Sequence, residues 1–174
     1  PESALADLPP AVSPAARLGR LAVLVRAFYE KRGTSIPPAS ALAAARELAR
    51  LLDQAALSGG VDWGKLDTLV ADRQLAIHWQ QSIDFLEIIA THWPEDLERN
   101  VQMDPYARRL AAAEATAESW QANPPKGDII IAGSTGADPS GRVLMKAAMT
   151  LPRALIVLPG LDRNVSPEAW GRIA

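Results

Sequence analysis

Apolar residues fall at helical intervals through most of this chain and then in unbroken runs near its end. Pro1 to Pro14 is rich in Pro and Ala and reads as an extended lead-in. Ser13-Pro14 is an N-cap followed by proline at the first helical position, and behind it Leu18, Leu21, Val25 and Phe28 recur three or four apart. That helix ends at Gly33. After a linker over Ser35 to Pro38, a second helix starts at Pro38 or Ser40. It carries Leu42, Ala45, Leu48, Leu52 and Ala55 on one stripe, with Arg46, Glu47 and Arg50 beside it, and Gly59-Gly60 stops it. Asp62 caps a short helix over Trp63 to Val70. A longer helix follows over about Gln74 to His92, with Leu75, Trp79, Ile83, Leu86 and Ile89 on its apolar side and Ile77, Gln81, Asp84 and Ile88 on a neighbouring line. Trp93-Pro94 is expected to end it, since a proline inside a helix clashes with the carbonyl four residues back. Asp104-Pro105 opens another helix, which Ala-rich sequence carries to about Gln121.

The texture changes after Asn123-Pro124-Pro125-Lys126-Gly127, a strong breaker. Asp128-Ile129-Ile130-Ile131-Ala132 is a continuous apolar run, the pattern of a strand covered on both faces. Gly133-Ser134-Thr135-Gly136 makes a tight loop. Pro139 to Thr150 reads as a helix with Val143, Leu144, Ala147 and Ala148 inward. Ala154-Leu155-Ile156-Val157-Leu158 is a second buried strand, and Pro159 to Asp162 is its exit loop. A strand, helix and strand joined by short links imply a right-handed parallel crossover. The expected fold class is therefore α/β: a mainly helical subdomain over residues 1–124, then a βαβ piece over residues 125–174. Two parallel strands alone do not make a stable sheet. That, the non-Met start at Pro1 and a terminal helix cut off over Pro167 to Ala174 lead us to expect a segment of a longer polypeptide. No internal repeat is apparent.

Composition narrows the chemistry. The 174 residues are 48% hydrophobic and 22% charged, enough for a globular core, and the formal net charge of -2 sets up no global basic field for nucleic acid. With no cysteine, disulfides, iron–sulfur ligation and thiolate zinc sites are excluded within these residues. No stretch reaches the roughly 18 continuous apolar residues of a membrane helix, and no signal peptide is visible. A cytoplasmic setting is the expectation.

The loop Gly133, Ser134, Thr135 and Gly136 is the candidate site. It lies beyond the carboxyl end of a strand, where open α/β sheets bind ligands, and its glycines would let backbone N–H groups approach a phosphate. The competing reading is a tight turn that needs glycine for its backbone geometry. No Gly-Lys-Ser/Thr follows, so it is not a Walker A loop. His78 and His92 share no carboxylate cluster with metal-ligand spacing, so no metal site is expected. Asp84 and Glu87 stand three apart on one helix, and Glu95 and Asp96 lie near a helix start, where the macrodipole accounts for them. Trp63, Trp79, Trp93, Trp120 and Trp170 suit core or interface packing better than base stacking. Arg17, Arg20, Arg108 and Arg109 read as solvated basic spots, with phosphate contact open.

Four strings taken in order carry a family resemblance: Leu8-Pro9-Pro10-Ala11-Val12-Ser13-Pro14, His78-Trp79-Gln80-Gln81-Ser82-Ile83-Asp84-Phe85-Leu86-Glu87-Ile88, Ala132-Gly133-Ser134-Thr135-Gly136 and Val157-Leu158-Pro159-Gly160-Leu161-Asp162. Together they resemble the N-terminal region of bacterial AddB proteins, the double-strand-break-repair subunits described as inactivated superfamily I helicases with a C-terminal nuclease. The resemblance implies a RecA-like domain of P-loop helicase type interrupted by a helical, 1B-like insertion. It implies an AddA-like helicase-nuclease partner, DNA as ligand and a role in DNA-end resection for homologous recombination. The family's ATP, Mg and iron–sulfur cluster would sit outside this chain, and no catalytic residue is carried over. The expected function is a non-catalytic segment supporting DNA binding and assembly. The rival is a small nucleotide-binding α/β protein using Gly133 to Gly136 for phosphate.

Overall fold

The computed structural model describes residues 7–59 and 84–160. The cap at Asp62, the helix over Trp63 to Val70, the first part of the helix from Gln74, His78, Trp63, Trp79, Trp170, Asp162 and the helix over Pro167 to Ala174 lie outside the described residues. The rest is mostly helical, with one small parallel sheet. Helix α1 spans Pro14–Lys31 and α2 spans Pro38–Leu57. A π-helical turn, Ile88–His92, leads into α3, Trp93–Arg99. Helix α4 is Pro105–Ala122, strand β1 Ile129–Ala132, helix α5 Pro139–Met149 and strand β2 Ala154–Val157.

The capping chemistry read from the sequence places these starts. Ser13 Oγ accepts from Ala16 N–H, Asp104 from Tyr106 N–H and Asp138 from Gly141 N–H, with proline next in each case. Such a cap stabilises a helix by about 1 kcal/mol. The principal core is built from Leu21 and Val25 of α1, Ala41, Ala45 and Leu48 of α2, and Ile88, Ile89 and Trp93. Phe28 closes one end, edge-on to Tyr29 and Phe85 at 5.5 and 5.3 Å between ring centres. The lead-in is extended over its described part. Val12 N–H donates to Met103 O and Met103 N–H to Pro10 O, both at 3.0 Å, and the Val12 side chain enters the core.

Trp93-Pro94 does not end its helix. Residues 84–87 are helical, and the chain passes through the π turn into α3 without leaving helical backbone angles. Trp93 N–H bonds Ile88 O, five residues back. Pro94 has no N–H to give the Ala90 carbonyl, and the wider turn relieves the clash that an α-helical proline would make with it. The insertion also brings Ile88, Ile89 and Trp93 into the core together, each no more than 1% exposed.

Two arginines expected on solvated faces are drawn inward instead. Arg17 is 7% exposed. Its Nη1 donates to Asp53 Oδ1 of α2 at 2.8 Å, and its Nε lies 2.9 Å from Asp104 Oδ2. The second contact is close enough for an ion pair but misaligned for a hydrogen bond, so Nε and Nη2 have no acceptor. Asp104 Oδ2 also accepts from the Trp93 indole at 3.2 Å. One carboxylate therefore ties α1, α3 and the start of α4 together. Arg20 is half-buried, donating to Asp96 Oδ2 and Gln102 Oε1, each at 2.6 Å, with its guanidinium 5.3 Å from the Trp93 ring centre. Arg108 Nε is held by Pro9 O at 2.9 Å, and Arg109 lies over Tyr106.

Helix α4 packs mainly on α5, with a smaller contact to α2. Strands β1 and β2 pair in parallel, with Ile129 opposite Ala154 and Ala132 opposite Val157, and α5 makes the crossover. The strands are not covered on both faces. Ile129, Ile131, Ala154 and Ile156 are half-buried, whereas Ile130 and Leu155 remain 65% and 56% exposed. The unbroken apolar run reports that both faces are apolar; only packing decides whether both are covered.

Candidate functional site

The glycine-containing loop leaves the carboxyl end of β1, and its sequence dictates its shape. Gly133 and Gly136 both have positive φ, +75° and +68°, where an L side chain is strained by about 1–2 kcal/mol. Gly133 N–H donates to Val157 O at 3.0 Å, extending the strand pairing by one bond. Gly136 N–H donates to Ser134 Oγ at 3.2 Å. Arg142, one turn into α5, reaches back and donates to the carbonyls of Gly136 and Ala137 at 3.3 and 3.2 Å. A Cβ on Gly136 would lie 3.4 Å from Arg142 Cγ, so glycine also makes room for that arm.

All four expected residues therefore sit in one loop, but its two glycine N–H groups are turned inward. The N–H groups of both glycines are satisfied within the protein. The start of α5, where a phosphate would gain from the helix dipole, is occupied by the Asp138 carboxylate, which accepts from Gly141 N–H at 3.3 Å. A phosphate brought about 4 Å from that carboxylate would meet a repulsion on the order of 4 kcal/mol at an effective dielectric constant near 20. Thr135 is the exposed side chain of the four. The arrangement suits a rigid turn that orders the strand-to-helix connection.

The other candidates are dispersed. His92 Nδ1 lies 3.4 Å from Glu95 Oε2, and Asp84 pairs with Arg32, whose guanidinium stacks 3.9 Å over Phe28. Among the described residues no three His, Cys, Asp or Glu side chains are placed to hold a metal. Trp93 is in the core and Trp120 is half-buried on α4. No described helix is long and apolar enough to cross a membrane.

No family model, curated protein or solved structure matches this chain.

Sequence reasoning had missed Asp138 and Arg142, and had placed Arg17 on a solvated face. The signal for the first two was present: Asp138-Pro139-Ser140-Gly141-Arg142 repeats the spacing of Asp104-Pro105-Tyr106-Ala107-Arg108. In both, the aspartate caps a helix and the arginine four residues on binds a main-chain carbonyl. Nothing local distinguishes Arg17, since its burial depends on Asp53 and Asp104, 36 and 87 residues away.

Proposed function

We infer that this chain is a non-catalytic, helicase-like segment of an AddB-like subunit, part of a RecA-like core that follows a helical insertion, and that it supports DNA binding and assembly with an AddA-like partner. The reading rests on the ordered family strings in the sequence. One structural observation supports it: a parallel β1–α5–β2 unit, preceded by a helical region, whose strands are apolar on both faces while one face is left uncovered. Parallel sheets are stable when both faces are covered, so this unit suits a piece of a larger α/β domain. The inward-turned loop and the Asp138 cap weigh against the nucleotide-binding alternative and fit a segment without catalysis.

The test has two arms. The purified chain is expected to hydrolyse no ATP and cut no DNA; turnover that persists on purification and scales with the protein would overturn the reading. In the complete subunit, Ile130→Lys with Leu155→Lys should abolish recovery of the partner complex, because it charges a face that a larger α/β domain must bury. Undiminished complex formation and DNA binding would remove the structural support.

A further inference from the structure

We draw no further inference here: the strongest candidate, the open apolar face of the β1–β2 sheet at Ile130, Leu155 and Val157, already supports the proposed function, and nothing in the structure shows what covers it.

Discussion

Replacing Arg17 with methionine gives the sharpest test of how this fold is held. The substitution keeps a long, flexible stem for the space among α1, α2 and the start of α4, and removes the charge. The Arg17 side chain is 9% exposed and its partners Asp104 and Asp53 are 15% and 32% exposed. Removing one partner from a buried ion pair typically costs about 3–5 kcal/mol. Asp53 is close to one-third open to solvent and water replaces part of its loss, so the low end applies. Against this, Arg17 Nε and Nη2 make no hydrogen bond, and relieving buried unsatisfied donors returns about 1–3 kcal/mol. With the low end of both ranges, the net expectation is a destabilisation of about 2 kcal/mol, or about 4–8 °C in melting temperature for a chain of this size. Urea denaturation followed by far-ultraviolet circular dichroism measures it, with an unchanged slope showing that the unfolded state is not altered. Asp104→Asn preserves the cap of α4 while removing the charge. The double variant Arg17→Met with Asp104→Asn should therefore be less destabilised than the sum of the single variants, by about 1 kcal/mol or more. Additive losses, or an Arg17→Met protein as stable as the parent, would refute the view that this buried pair joins α1 to α4.

Gly136→Ala should destabilise the chain by about 1–2 kcal/mol because of its positive φ, whereas Gly141→Ala, inside α5 with its nearest non-local neighbour 3.7 Å from the new Cβ, should stabilise by about 0.5–1 kcal/mol. Equal effects in paired urea melts would show that φ does not set the loop. Pro94→Ala should change stability by less than about 1 kcal/mol, because the π turn already relieves the proline; a gain near the 3 kcal/mol of a strained mid-helix proline would contradict that account. Trp93→Phe retains the ring packing but deletes the indole donor to Asp104, and should cost about 1–3 kcal/mol, most of it recovered if Asp104 is also neutralised.

The sequence by itself determined the starts of α1, α4 and α5, the stops of α1 and α2 and the parallel crossover, because these depend on neighbours within a few residues. Ser13-Pro14, Asp104-Pro105 and the glycines after α1 and α2 act locally, and the apolar spacing of Leu21, Val25, Ala45 and Leu48 is a property of one helix at a time. It also located the loop at Gly133 to Gly136, since two glycines between an apolar run and a proline-started helix admit few geometries. Tertiary structure decided the rest. The π turn before Pro94 exists because Ile88, Ile89 and Trp93 share one core, a constraint that helical periodicity does not contain. Arg17 is buried because Asp53 and Asp104 arrive from distant segments to neutralise it. The apolar runs of β1 and β2 are chemically alike on both sides, so only the placement of α5 distinguishes the covered face from the open one. The loop turns its Gly133 N–H inward because Val157 meets it across the sheet, and its Gly136 and Ala137 carbonyls are held because Arg142 reaches back to them.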